Sequence, residues 1–193
     1  MKKLFTLLSL STLLFSCQKS AEDLAAGDTQ VLSSFNIPAG YAPLECVQPV
    51  ETAMLAGQST NVGTVTVWND ENNVYVHYQF TGAYKMKKTH LFVGACSSIP
   101  VNNSGNPRIG QYPYQTSHGT TGVSSFTYTI PKSSLPASGC LCVSAHAEVV
   151  AYNTSGQLIF SETGWGQGVQ ITDGGSWAMK FDYCPVYECG DIR

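Results

Sequence analysis

Cysteine and histidine are the residue types in this 193-residue chain whose spacing is best suited to chemistry. Cys140, Cys142 and His146 share one face of a predicted strand, because side chains alternate between the faces of a strand. A cluster of cysteine and histidine could hold zinc if a terminal cysteine joined it. The spacing is not that of a zinc finger or ribbon, and an even set of cysteines in an exported chain favours disulfides. We therefore predict disulfides and no metal.

The N-terminus predicts export. Two lysines precede an apolar run from residue 4 to 15, which is too short to cross a bilayer as a helix and is typical of a signal-peptide core. The run ends in Leu14-Phe15-Ser16-Cys17, which resembles the lipobox of bacterial lipoproteins. The resemblance implies a signal peptide over residues 1–16 and a lipid on Cys17 that anchors the protein to a membrane. An ordinary signal peptide with Cys17 left as a free thiol is the alternative.

The six remaining cysteines are candidates for up to three disulfides: Cys46, Cys96, Cys140, Cys142, Cys184 and Cys189. Six cysteines allow 15 pairings, and sequence alone does not choose among them. Cys140 and Cys142 are too far apart along one strand to bond easily with each other, so each is expected to reach a different partner. Cys96 and a terminal cysteine are the candidates for these partners. Alternatively, Cys184 and Cys189 close a local loop.

Composition and charge restrict the classes of partner that the protein is expected to bind. Without the two N-terminal lysines, the 10 Lys and Arg become 8 against 13 Asp and Glu, a formal charge of −5. The densest basic run, Lys85-Met86-Lys87-Lys88, is too sparse to indicate a nucleic-acid partner. We expect contact with a membrane through the lipid on Cys17. The expected location is the bacterial outer membrane, on its periplasmic or surface-exposed side.

The chain divides into a tether and one domain. Residues 17–45 comprise the lipidated cysteine and a stretch with weak periodicity and many small residues, which predicts a flexible tether. A coil of this length has an r.m.s. reach of roughly 30 Å. The pattern changes at about residue 46, so we expect the folded domain to occupy residues 46–193.

The domain is predicted to be all-β. Residues 64–68 and 74–80 alternate on either side of Asn69-Asp70-Glu71-Asn72-Asn73, which predicts a β-hairpin rather than a weak calcium loop. Its core face is expected to hold Val65, Val67, Val74, Val76, Tyr78 and Phe80. Further strands are predicted at 89–95, 124–130, 140–152, 157–163, 167–172 and 176–183. About eight short strands favour an antiparallel β-sandwich, jelly-roll or Ig-like, stabilised by disulfides.

An ordered series of short motifs runs through these predicted strands. The motifs are Leu55-Ala56-Gly57-Gln58, Val62-Gly63-Thr64-Val65, Thr89-His90-Leu91-Phe92-Val93-Gly94, Gly110-Gln111-Tyr112-Pro113-Tyr114, Ala145-His146-Ala147, Glu162-Thr163-Gly164-Trp165-Gly166 and Trp177-Ala178-Met179-Lys180-Phe181. Their order resembles a module that recurs in secreted and surface proteins of Bacteroidota and marine bacteria. The resemblance covers about residues 46–183. It implies a domain boundary and supplies no catalytic residues.

Motifs for catalysis are missing from the sequence. There is no G-x-S-x-G elbow, and His146-Ala147-Glu148 with the later cysteines matches the zinc-deaminase signature only superficially. A glycosidase would need two acids in one groove. The acids available in the strand region are Glu148, Glu162, Asp173 and Asp182. We therefore predict no enzymatic activity and no cofactor.

Aromatic side chains predict a binding role instead. Trp68 and Tyr75 fall on the non-core face of the hairpin, and three more lie in or beside glycine-rich loops: Tyr112, Tyr114 and Trp165. Flat exposed rings suit stacking on sugars. Trp177 is expected to plug an end of the domain, and the same role is the alternative for Trp165. The sequence thus predicts a lipid-anchored envelope protein with a non-catalytic binding or adhesion role, with a glycan as first ligand. A structural or accessory subunit of an envelope protein complex is the alternative.

Overall fold

A computed structural model gives the conformation of residues 35, 37–41 and 47–188. These residues contain ten strands: β1 (Val50–Ala56), β2 (Thr60–Asn69), β3 (Asn73–Phe80), β4 (Tyr84–Gly94), β5 (Tyr114–Ser117), β6 (Ser125–Pro131), β7 (Leu141–Tyr152), β8 (Leu158–Gly166), β9 (Val169–Gln170) and β10 (Met179–Tyr183). Three short 3-10 helices connect them: Cys96–Ser98, Ile109–Gln111 and Lys132–Ser134. The all-β prediction is confirmed. Within the described residues, no helix has the length and apolar character needed to cross a bilayer.

Eight strands form one continuous antiparallel sheet in the order β5-β4-β7-β8-β1-β2-β3-β6. Strand β10 pairs with the start of β7, and β9 pairs with β10. The two edges of the sheet approach each other. Met86 of β4 forms an isolated bridge with Val123, just before β6, and the rings of Tyr114 (β5) and Tyr128 (β6) lie 6.1 Å apart. The sheet is therefore nearly closed, like a barrel.

Strands β2 and β3 form the hairpin that the period-two pattern predicts. Its turn is built around Asp70, whose Oδ1 accepts the backbone N–H groups of Asn72 at 2.8 Å and Asn73 at 2.7 Å. The hydroxyl of Tyr75 donates to Asp70 Oδ2 at 2.6 Å. Burial raises the pKa of Asp70, but these hydrogen bonds outweigh it and lower the pKa overall. The Asp70 carboxylate therefore stabilises the turn between β2 and β3.

The interior of the curled sheet is the main hydrophobic core. All six predicted core residues of the hairpin are buried in it: Val65, Val67, Val74, Val76, Tyr78 and Phe80. Alternate residues of β7 face the same core: Leu141, Val143, Ala145, Ala147 and Val149. Their neighbours along β7 therefore point to the outer face.

The outer face of the β2–β3 hairpin is covered. The rings of Trp68 and Tyr75 stack with centroids 5.4 Å apart, and the ring of Tyr41 meets both edge-on. The cluster also contains Ile37, Val47 and Val186. Trp68 and Tyr75 are buried, so the prediction that they present exposed rings is wrong. They do lie on the non-core face, but Ile37 and Tyr41, from the stretch predicted as tether, pack over them.

A buried asparagine holds the segment that follows β10. Asn69 Oδ1 accepts the Tyr183 hydroxyl at 2.6 Å and the Val186 N–H at 3.1 Å. Asn69 Nδ2 donates to the Val186 carbonyl at 2.7 Å, and Lys132 Nζ donates to the same carbonyl at 2.8 Å. The end of β2 and the C-terminal segment are therefore joined by one side chain.

Replacing this asparagine is expected to be costly. Asn69→Ala leaves the buried Tyr183 hydroxyl without its acceptor, which should lower the free energy of unfolding by about 3 kcal/mol. Asn72→Ala, at an exposed position of the same hairpin turn, is the matched control and should change it by less than about 0.5 kcal/mol. Urea denaturation measures both. Equal midpoints for the two variants would contradict the role assigned to Asn69.

Among the described residues, two disulfides link distant parts of the chain. Cys96 bonds to Cys142 and Cys140 bonds to Cys184, with Cα–Cα distances of 5.0 Å and 4.0 Å. The prediction that Cys140 and Cys142 reach different partners is confirmed. The local-loop alternative for Cys184 is wrong, because Cys140 is its partner. Three cysteines lie outside the described residues, as does the predicted signal peptide: Cys17, Cys46 and Cys189.

Candidate functional site

The outer face of β4, β7 and β8 carries the polar and aromatic groups best placed to meet a ligand. Strand pairing aligns these side chains in rows. One row contains His90, His146 and Trp165. The next row contains Lys88, Glu148 and Thr163. Alternation along each strand sends these residues outward while their neighbours fill the core.

His90 and His146 form a buried pair. Their Nδ1 atoms are 3.0 Å apart, so one ring donates and the other accepts, which requires at least one neutral ring. Burial, with the nearby charges of His90 and Lys88, lowers the pKa of His146 to about 3. Burial and Lys88 also lower the pKa of His90. Both rings are therefore neutral at neutral pH, and Nε2 of each is left for other partners.

A cavity of about 240 Å³, here called the aromatic cavity, opens beside the histidine pair. Trp165 lines it, with its ring 4.8 Å from that of His146. Two loops complete the wall, one between β4 and β5 and the other between β9 and β10. The first loop supplies Asn106 and Ile109 to the cavity wall, and the second supplies Ser176 and Trp177. Among the residues that the structure describes, no charged side chain lines this cavity.

The two loops are fastened to each other and to the sheet. Asn106 Oδ1 accepts the backbone N–H of Ser176 at 2.7 Å, which joins loop to loop. The hydroxyls of Tyr112 and Ser144 lie 2.9 Å apart, which joins the first loop to β7. The disulfide of Cys96 holds the start of the same loop. The cavity is therefore preorganised, which reduces the ordering cost of binding.

A second cavity of about 400 Å³, here called the polar cavity, lies on the same face. Both cavities are lined by Thr163, so they adjoin along β8. The charged and hydroxyl groups of the polar cavity include Lys87, Glu148, Ser161 and Glu162. The polar cavity therefore extends the binding surface along β8. It adds hydrogen-bonding groups that are positively charged, negatively charged and neutral.

Both cavities contain groups of the kinds used in acid–base chemistry, namely His146 and two glutamates. The aromatic cavity brings His146 together with Thr163 and Ser176, but an imidazole with a pKa of about 3 is too weak a base to activate a hydroxyl at neutral pH. The polar cavity joins Glu148 and Glu162. Both are exposed, and neither carboxylate accepts a hydrogen bond from a described residue that would position it.

Within the described residues, one group of three side chains is close enough to hold a metal. Cys96, Cys142 and Asp182 place their ligand atoms within 4.8 Å of one another. Both sulfurs belong to a disulfide and are not the thiolates that zinc requires. Cys140, which the zinc alternative paired with His146, is also disulfide-bonded. The zinc alternative is therefore wrong.

The predicted aromatic residues are distributed unevenly. Trp165 lines the aromatic cavity but is only 4% exposed, and Tyr112 is 2% exposed, so the prediction of exposed rings is wrong for both. The other four line neither cavity: Trp68, Tyr75, Tyr112 and Tyr114. Sequence reasoning assigned Trp177 to the end of the domain and did not place His146 at the cavity, yet both line it. The glycine-rich flanks of Trp177 were a usable signal, whereas the position of His146 depends on how β4 and β8 pair with β7.

Comparison with known proteins gives no match, whether to a protein family, a curated protein or a solved structure. The resemblance of the motif series to a surface module therefore stays a prediction. What the protein binds has to be argued from the two cavities themselves.

Proposed function

We propose that this protein is a lipid-anchored binding or adhesion protein of the bacterial cell envelope and that its ligand is a glycan. The aromatic cavity carries the proposal. It combines the rings of Trp165 and Trp177 with the Asn106 amide and the neutral His146. The apolar face of a sugar buries well against indole rings, while amide, imidazole and hydroxyl groups exchange hydrogen bonds with its hydroxyls.

The charge of the cavity supports this ligand class. Its described polar groups are uncharged, because His146 is neutral and the other lining residues carry no charge. A ligand rich in neutral hydroxyls leaves no charge unpaired there. We retain the jelly-roll or Ig-like sandwich as the proposed topology of the curled sheet, with Cys17 as the proposed lipid site that places the protein at the outer membrane.

A second candidate function is an accessory subunit of an envelope protein complex. Leu158 and Ile159, at the start of β8, are 54% and 62% exposed. Adjacent exposed aliphatic side chains are a common feature of protein interfaces. On this alternative, mild crosslinking followed by purification would recover a stable partner with the wild-type protein. The Ile159→Ser variant would no longer bind that partner.

A glycan array with the purified protein tests the primary proposal. Trp177→Ala should weaken binding to the positive glycans by roughly tenfold or more, because tryptophans at the centre of an interface contribute 2 kcal/mol or more. Trp177→Phe, which keeps a flat ring, should recover most of the affinity. Ile159→Ser, exposed and outside both cavities, is the control and should bind as the wild type does. An array without hits, or equal binding by Trp177→Ala, would overturn the proposal.

A further inference from the structure

We infer that the glycan is a chain of several sugar residues, which lies along β8 across both cavities. This inference rests on the proposed function and specifies its ligand. A single sugar would occupy the aromatic cavity alone. The position of the polar cavity is the reason to expect a ligand of more than one sugar residue.

The two cavities form one path along the sheet. Trp165 lines the aromatic cavity, Thr163 lines both and Ser161 lines the polar cavity. These three residues alternate along β8, opposite His146, Glu148 and Val150 of β7, so they follow one another on the outer face. From Trp165 to Leu158, which lines the far part of the polar cavity, the strand runs for roughly 23 Å at 3.3 Å per residue. An extended chain fits this path better than a compact ligand.

The volumes lead to the same conclusion. The aromatic cavity, at about 240 Å³, is smaller than the roughly 300 to 1,000 Å³ of typical small-ligand sites. With the adjoining 400 Å³ of the polar cavity, the groove falls well within that range. One sugar ring stacked on the indoles would therefore leave most of the groove to water.

The chemistry of the polar cavity suits further sugar residues of the same chain. Glu148 offers a carboxylate acceptor, Ser161 offers a hydroxyl, and Lys87 offers an ammonium donor. Hydroxyl groups can use both kinds of partner, whereas a strongly charged ligand would face charges of its own sign. The aromatic cavity thus supplies stacking, and the polar cavity supplies hydrogen bonds to the residues that follow.

Calorimetric titration with oligosaccharide ladders tests the inference. The probes are ladders of one to six residues from the neutral glycans cellulose, xylan, mannan, laminarin and chitin. Within a ladder that binds, affinity should rise by roughly tenfold or more from the disaccharide to the tetrasaccharide. Glu148→Ala should weaken the tetrasaccharide and leave the disaccharide unchanged, because Glu148 lines the polar cavity and not the aromatic cavity. Trp177→Ala should weaken both. Glu71→Ala, an exposed carboxylate outside both cavities, is the matched control and should change neither.

The outcomes separate the two proposals. If a monosaccharide binds as tightly as a tetrasaccharide, or if Glu148→Ala acts equally or not at all on both lengths, the chain inference is overturned while glycan binding stands. If no ladder binds at any length, the proposed function itself fails. Circular dichroism of each variant shows whether a loss of binding comes from loss of the fold.

Discussion

Between pH 7 and pH 4 the protein is expected to lose about 3 kcal/mol of unfolding free energy through His146 alone. The pKa of this histidine is about 3 in the folded protein, against an ordinary value of 6.5. Between these values the unfolded chain binds a proton that the folded chain does not, so the unfolded state gains stability as the pH falls. The contribution of His146 is complete above about pH 6.5 and decreases steadily towards pH 3. Burial lowers the pKa of His90 and His118 as well, which acts in the same direction.

Urea denaturation at pH 7, pH 5.5 and pH 4 measures this loss. His146→Gln removes the titrating ring and keeps a hydrogen-bonding group for His90, so its stability should depend less steeply on pH over this interval. The variant is expected to be less stable than the wild type at pH 7 and closer to it at pH 4. A pH dependence identical to that of the wild type would show that His146 is not the buried neutral base described here.

Gly63→Ala is expected to prevent folding. A Cβ at this position would lie 2.0 Å from the backbone oxygen of Gln79 and 2.7 Å from the Cα of Phe80. The φ angle of Gly63 is 154°, in a region that other residues rarely adopt. The clash is with backbone of the neighbouring strand, which cannot move without opening the β2–β3 pairing. We expect a loss of about 4 kcal/mol or more, which is exceptional for a single substitution.

Gly110→Ala is the control for this variant. A Cβ on Gly110 meets no atom within 4 Å, and its φ is not in the left-handed region. Its effect should be within about 0.5 kcal/mol. Soluble yield and thermal melting followed by circular dichroism compare the two variants. A Gly63→Ala protein that melts close to the wild-type temperature would contradict the described packing of β2 on β3.

Local patterns were enough to predict part of the fold. The β2–β3 hairpin and the inward residues of β7 follow from period-two alternation, which is a property of the chain itself. Strands β1 and β5 were not predicted from the sequence. The cause is the apolar pattern in β1 and the short length of β5. In β1, Val50–Ala56, apolar residues do not alternate cleanly, and β5, Tyr114–Ser117, has only four residues. Both depend on pairing with neighbours for their extended conformation.

The site was harder to predict because it is made by contacts between distant segments. Trp68 has the right composition and face for an exposed platform, but Tyr41 covers it from 27 positions earlier. The histidine pair requires the β4–β7 register, which places position 90 opposite position 146. Trp177 reaches the cavity because its loop is fastened to Asn106. No local sequence pattern predicts any of these three contacts.

The most direct test of glycan binding in the aromatic cavity is a titration followed by the tryptophan indole N–H signals in a nitrogen-15 NMR spectrum. The chain has three tryptophans, and only two of them line the cavity. On addition of the best glycan from the array, the signals of Trp165 and Trp177 should shift in a saturable way. Trp68, in its separate buried cluster, should not move. A glycan that saturates the protein without shifting the two cavity tryptophans, or that shifts Trp68 alone, would contradict the proposed site.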